Sequence, residues 1–395
     1  MNKRIYLDHA ATTQMSGKVL EFMLPYLRDE YGNPSSIYDL GSDNKRTLLT
    51  ARKKIATVLS CEPQNIYFTS GGTESDNWAL VGTAEARAGF GKHLITTKIE
   101  HHAVLETCHY LETRGFEVTY LDVDELGMVN PEHLKRALRP DTILVSVMTA
   151  NNEIGTIQPI AQIGEILKKH PAWFHTDAVQ AFGQIPVQPS EWNVDLLSAS
   201  AHKFYGPKGI GFLYMRDGIK LHSFLHGGKQ ERGKRAGTEN VASIAGMGEA
   251  ARLAHEAMTK QIEKETQLRD YMIRRIENEI PYCRLNGSRN NRLPGNVNMS
   301  FQFVDGENMV IMLDMEGICC SSGSACMAGQ SSASHVLQSI ALPDDVARGS
   351  LRFSLGEETT REDIDRTIDI LKEVLAKSRK MNPVYTSFVK KNQKY

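Results

Sequence analysis

The amino-acid sequence predicts an α/β protein: a mainly parallel sheet covered by helices, followed by a smaller α+β part. Three observations carry the prediction. From about residue 50 to 250, short apolar runs rich in β-branched and aromatic residues alternate with helix-like stretches, the pattern of strands joined by helical crossovers. The long charged helical stretch Val241 to Glu279 then breaks the alternation. Beyond it, strand-like and helical runs mix without that regular order. With 395 residues, 41% of them hydrophobic, the chain can bury two cores, and it divides into a large domain over 16–258 and a small one made of 1–15 and 259–395.

The first expected strand is Ile66 to Thr69, before a helix from Glu74; the second is His93 to Thr97, before a helix from Ala103. Val118 to Leu121, Ile143 to Val147, Trp173 to Asp177, Val194 to Ser198 and Ile210 to Met215 follow as short apolar runs bounded by turn residues. In the second part, strands are expected at Asn296 to Phe301, Gly317 to Ser321 and Ser350 to Ser354, with helices near Glu307 and Arg361. The tail Asn382 to Tyr395 lacks periodicity and is expected to be a mobile end.

Charge and cysteine usage narrow the functional class. Forty-six basic residues against 47 acidic ones leave a net charge of -1, so neither a nucleic acid nor a membrane surface is an expected partner. The N-terminus MNKRIYLDHAATT has no apolar segment behind its basic residues, and no later run approaches the roughly 18 residues needed to span a bilayer. The expected address is the cytoplasm. Six cysteines, at 61, 108, 283, 319, 320 and 326, are too few and too unevenly spaced for a disulfide framework.

Polar clusters then mark the expected strand ends, where ligands of open α/β sheets gather. Lys203, in Ser200-Ala201-His202-Lys203, lies between two apolar runs; a lysine there ordinarily reaches solvent, but one partly desolvated near other cations becomes a nucleophilic amine able to form a Schiff base. Thr69-Ser70-Gly71-Gly72-Thr73-Glu74 joins a strand to a helix. It reads as an ordinary cap or, with Gly72 and Thr73 at a helix N-terminus, as a cup for a phosphate. Asp177 reads as a cap for the residues after it or as the carboxylate that keeps a pyridinium nitrogen protonated. Pyridoxal 5'-phosphate (PLP) needs all three features: a lysine, a phosphate cup and a carboxylate.

Joined to further segments, these residues resemble the cysteine desulfurases, in the class V aminotransferase branch of the fold-type I PLP transferases. The segments are Tyr6 to Thr13, Tyr31 to Ser36, Thr69 to Glu74, Glu100-His101, Asn151 to Gly155, His175 to Gln180, Ser200 to Lys203, Arg235 to Asn240, Ser321 to Cys326 and Leu351 to Leu355. The resemblance implies a mainly parallel seven-stranded sheet in the large domain and a small α+β domain whose loop, about 321–335, carries the catalytic Cys326. It makes Lys203 the Schiff-base lysine, Asp177 the partner of the pyridinium nitrogen, His101 the ring stacked on the cofactor and a helper in proton transfer, and Gln180 a donor to the phenolic oxygen. Gly72, Thr73, Ser200 and His202 would hold the phosphate, as would Thr238 from the neighbouring subunit of a homodimer. Asn152 would border both the cofactor and the substrate, and Asn33 and Arg352 would contact the substrate, Arg352 through a fork on its carboxylate. His102, beside His101, reads as a surface or packing histidine.

The cofactor alone leaves the reaction open, and the discriminating residue is a thiol. Cys326 lies in the small-residue run Ser321-Ser322-Gly323-Ser324-Ala325-Cys326-Met327-Ala328-Gly329-Gln330, expected to be exposed, whereas Cys319 and Cys320 lie in an apparent strand after Gly317-Ile318 and read as core thiols. Cys319, Cys320, Cys326 and His335 cluster in sequence but lack the C-x2-C spacing of zinc sites, so no permanent metal is expected; Cys326 stays a candidate transient iron-sulfur ligand. The resemblance implies that sulfur leaves L-cysteine as a Cys326 persulfide, with L-alanine as the other product, and passes to an acceptor protein such as an iron-sulfur scaffold or to other thio-cofactor synthesis. Selenocysteine lyase, a class V aminotransferase and a catalytically silent sulfur-carrier scaffold stand as alternatives. Two departures from the family pattern are His9, where Asn is frequent, and Gln330 to Ala333, which lacks the family's Glu-Pro pair.

Overall fold

The computed structural model of the protein describes residues 4–322 and 334–392. Its larger sheet has seven strands in the spatial order Ile66–Thr69, Gly211–Met215, Leu196–Ser200, Trp173–Asp177, Thr142–Ser146, His93–Thr97 and Glu117–Leu121. Only Gly211–Met215 runs against its neighbours. All five residues are buried in His93–Thr97, Thr142–Ser146, Leu196–Ser200 and Gly211–Met215, which is why these runs read as continuously apolar or small and not as alternating. One apolar core, with Ile55, Phe68, Phe174, Phe182 and Met247, and another, with Trp78, Leu94, Val104 and Leu213, are buried against this sheet.

The strand expected at Val194 to Ser198 lies two residues further on. Val194 N–H is taken by Pro189 O in the preceding turn, while Ala199 and Ser200 pair with Phe212 and Gly211. The extension matters, because Ser200 now ends the strand and the single turn Ala201–Lys203 follows at its carboxyl end.

Helix Val241–Glu279 runs from one core to another, as expected from the sequence. Asn240 caps it, accepting from Ser243 N–H at 3.2 Å. Its first turns lie close on helix Asp39–Leu59, where a Cβ on Gly248 would fall 2.7 Å from Ala51 Cα. Its later turns bury Met272, Ile273 and Ile276 in a separate core with Leu7, Val297, Phe301, Leu313, Phe353 and Ile368. Truncating a buried ring such as Phe353 to alanine costs about 3–5 kcal/mol in a core of this kind.

That core backs a four-stranded antiparallel sheet, ordered Ser321–Ser322, Ser350–Ser354, Asn296–Phe301 and Cys283–Leu285. The expected strand Gly317 to Ser321 is in fact two: Ile318–Cys319 pairs with Ile5–Tyr6 near the N-terminus, and Ser321–Ser322 pairs with Ser350–Ser354. The tail also departs from expectation. Residues Pro383–Asn392 form a helix capped by Asn382, with Tyr385 and Phe388 against Tyr282 and Phe303. A proline after a capping asparagine and two aromatics three residues apart were the signal for it. Among the described residues no helix is long and apolar enough to cross a membrane.

Candidate active site

A cavity of about 500 Å³ opens at the carboxyl ends of the parallel strands. Ten residues singled out from the sequence share its wall: Gly72, Thr73, His101, Asn152, Asp177, Gln180, Ser200, His202, Lys203 and Arg352. Asn33 and Thr238 are not among them. Asn33 is exposed, its side-chain oxygen accepting from Ser35 N–H at 2.9 Å, and Thr238 is exposed in the single chain. Cys326 lies outside the described residues. A neighbouring cavity of about 510 Å³, behind Thr12 to Gly17 and Tyr205, contains neither Lys203 nor Asp177 in its wall.

One end of the cavity suits an anion. Helix Gly72–Arg87 begins there, and its first amides have no acceptor within the helix. A Cβ on Gly72 would sit 2.6 Å from Val179 Cγ2, so a larger residue at the start of that helix would clash with the turn after Asp177. Arg235 reaches Glu74 in the same turn, its Nε donating to Oε1 at 2.9 Å, which brings the segment before Thr238 close by.

Elsewhere in the wall, Asp177 ends its strand buried, with Oδ1 accepting from Val179 N–H at 2.8 Å. No helix follows, so it closes a turn and is not a helix cap. Burial pushes its carboxyl up to about 6, against the pull of the Val179 amide and the Lys203 charge. Lys203 Nζ donates to Ala10 O at 2.5 Å and to Ala11 O at 2.7 Å.

The two cavity histidines are neutral. His101 is held down to about 4, first by burial and then by Lys203, His102 and His335. Its Nδ1 caps helix His102–Thr113 by accepting from Ala103 N–H at 3.1 Å, which leaves the ring proton on Nε2. His202 is likewise held down to about 4, by burial, Lys203 and Lys208, and its Nδ1 lies 3.1 Å from Thr12 Oγ1. His102 packs its ring at a tilt against that of His335, with centroids 4.8 Å apart, in keeping with a packing role.

Arg352 comes from the antiparallel sheet and closes the opposite side. Its Nη2 donates to Asp8 Oδ1 at 3.0 Å and its Nη1 to Asn152 O at 2.9 Å, while its buried Nε has no partner among the described residues. A guanidinium fixed in this way can offer its remaining N–H groups to a carboxylate.

Sequence reasoning missed Asp8, Asp76 and Glu153, all in the wall. Each lies inside or beside a segment that carries the resemblance, which was the available signal. Glu153 Oε2 accepts from Ser334 Oγ at 2.5 Å, and burial raises its carboxyl to about 7. Of the thiols expected to be core, Cys320 is buried and pushed up to about 12, whereas Cys319 is only partly buried.

The model of the class V aminotransferase family matches residues 5–367. Among curated proteins, the cysteine desulfurase IscS of Dictyoglomus turgidum is 54% identical over 383 residues, 97% of each chain. That of Clostridium botulinum is 50% identical over 395 residues, the full length of both. Among solved structures, a NifS-like protein superposes with a TM-score of 0.89 at 38% identity, covering 94% of this chain and 99% of its own. SspA in complex with cysteine superposes with a TM-score of 0.80 at 38% identity, covering 89% and 98%.

Proposed function

We propose that this chain, which belongs to the cysteine desulfurases of the class V aminotransferase family, takes sulfur from L-cysteine with PLP held in the cavity around Lys203. The observation that carries the reading is the convergence of an amine, a desolvated carboxylate and an open helix N-terminus on one wall.

The donor set fits the cofactor. The Gly72 and Thr73 amides with the Thr73 and Ser200 hydroxyls and His202 would hold the phosphate, His101 would lie on the ring, and Gln180 would donate to the phenolic oxygen. Gln180 Nε2 already donates to Ala10 O at 2.9 Å, and its second N–H remains for that contact. Asp177 would keep a proton on the ring nitrogen. When bound, PLP supplies an electron sink for the bond changes at the substrate α-carbon.

The chain's own groups do the rest. Arg352 holds the carboxylate of L-cysteine and Asn152 borders it, while Lys203 Nζ takes the α-proton and returns protons during turnover, helped by the Nε2–H of His101. The Cys326 thiolate attacks the substrate sulfur: the carbon-sulfur bond breaks, a sulfur-sulfur bond forms, and a proton delivered to carbon completes L-alanine. L-cysteine and the Cys326 thiol thus give L-alanine and a persulfide, with no added oxidant or reductant. The persulfide then passes to an acceptor such as an iron-sulfur scaffold. The complex of the similar SspA with cysteine supports the choice of substrate.

The same reading takes the protein as a cytoplasmic homodimer with domains at 16–258 and at 1–15 with 259–395. Exposed Leu24, Leu27, Tyr31, Ile37 and Tyr38 support a covered face in a dimer, and exposed Thr238 is available to a second subunit's phosphate cup. Borohydride reduction of the purified protein followed by peptide mapping tests the central bond. A pyridoxyl group on Lys203 is the expected result, and its absence from Lys203 overturns the proposal.

A further inference from the structure

Beneath the cavity floor lies a second carboxyl group that the reaction does not use. Asp76, in the first turns of helix Gly72–Arg87, is 1% exposed and shares the cavity wall with Asp177. His175 and Asp177 are two residues apart on one strand and therefore point to the same face of the sheet. His175 Nε2 lies 3.6 Å from Asp76 Oδ1, which places the Asp76 carboxyl against that face beside Asp177.

Among the described residues no lysine or arginine pairs with Asp76. Both nitrogens of His175 are already engaged, Nδ1 with Ser146 Oγ at 2.8 Å and Nε2 with Ser198 Oγ at 3.0 Å. Burial holds that ring down to about 3, so the 3.6 Å approach is a contact with a neutral imidazole and not an ion pair. Asp76 Oδ1 has no hydrogen-bond partner among the described residues. A charged oxygen left in that state would be costly, whereas a protonated one is tolerable. Asp177 differs in every respect that matters, having the Val179 amide and the nearby Lys203 charge to favour its anion.

We infer that Asp76 and Asp177 form a buried carboxyl pair in which Asp76 keeps the proton, leaving Asp177 as the single negative charge on the cavity floor. Two carboxylates that feel each other's charge in one desolvated wall do not both ionise. Burial, Asp177 and Glu100 all raise Asp76 well above the usual carboxylate range, against the pull of the Ser198 hydroxyl. Glu100 is buried too, pushed up to about 8 and anchored by the Thr97 hydroxyl and the Met148 amide. Asp76 is thereby a positioning residue. It acts through Asp177, and its link to the cofactor's ring nitrogen rests on the proposed PLP reading.

Infrared difference spectra of the cofactor-free protein test the pair independently of that reading. At neutral pH, wild type minus Asp76→Asn is expected to lose the band of a protonated carboxylic acid; loss of a carboxylate band instead overturns the assignment. Replacing Asp177 by asparagine should lower the pH at which the Asp76 acid band disappears by roughly one to three pH units, and an unmoved midpoint overturns the coupling. In the loaded protein, the cofactor absorption of wild type should change at alkaline pH as Asp76 ionises, and Asp76→Asn should lack that change. Identical alkaline titrations overturn the link to the ring, whereas a protein that takes up no PLP refutes the cofactor reading and leaves the infrared result standing.

Discussion

Replacing Arg352 with lysine should weaken use of L-cysteine about 10- to 150-fold while leaving an aminothiol that lacks the carboxylate unaffected. The magnitude follows from how the guanidinium is held. Asp8 and Asn152 O take one N–H from each terminal nitrogen and fix the plane, and the buried Nε–H has no partner among the described residues. A substrate carboxylate can then accept two parallel charge-assisted bonds from the face that remains, each worth about 1.5–3 kcal/mol. Lysine keeps a charge near Asp8, so no buried anion is stranded, and Ser321 Oγ still donates to Asp8 at 2.8 Å. What lysine lacks is the fork, so about one such bond is lost. The assay compares kcat/KM for L-cysteine, and spectroscopic binding of L-cysteine and cysteamine, in both proteins at equal cofactor loading. An equal loss for the two ligands would falsify the reasoning, because Arg352 would then act by tying the Asp8 and Asn152 segments together.

Three further outcomes are expected. Cys326→Ser should keep the cofactor's visible absorption and L-cysteine binding but abolish sulfide release in the presence of a reductant; undiminished release removes Cys326 from the reaction. Gly72→Ala places a methyl 2.6 Å from Val179 Cγ2 and 3.7 Å from Ser200 Cβ, an overpacking of about 1–3 kcal/mol at the phosphate cup. Dialysis should therefore strip PLP from the variant sooner than from wild type, and equal retention rules the cup out. Glu265, 2% exposed in the long helix, has its carboxyl raised by burial from 4.5 to about 7. The folded state binds that proton more tightly, so the group's stabilisation is full below pH 4.5 and is lost as pH rises through about 7. Denaturant titrations should show Glu265→Gln gaining about 3 kcal/mol on wild type between pH 4.5 and 8, and a pH-independent difference sinks the assignment.

Lys203, Asp177, Thr73 and Ser200 stood out in the sequence because each follows a strand-like run or opens a helix, and both signals are local. Cys326 stood out by its small neighbours and the family pattern. Asp8 and Glu153 did not, since their significance depends on partners far along the chain: Arg352 is 344 residues from Asp8, and Ser334 is 181 residues from Glu153. The helical tail was missed for a related reason. Its aromatic side chains are half a pattern until Tyr282 and Phe303 supply the surface they pack on.

Hydrophobic period, turn chemistry and residue type act over a few neighbours, so the order of the elements, the mainly parallel sheet and the polar strand ends could all be read from the chain alone. Tertiary structure alone decided how those ends share space. It brought Asp76 and Asp177 into one cavity wall, gave both histidines of the cavity neutral rings and added Arg352 to that wall from another sheet. Desolvation and Coulomb interaction depend on distance through the folded molecule, and separation along the chain does not reveal that distance.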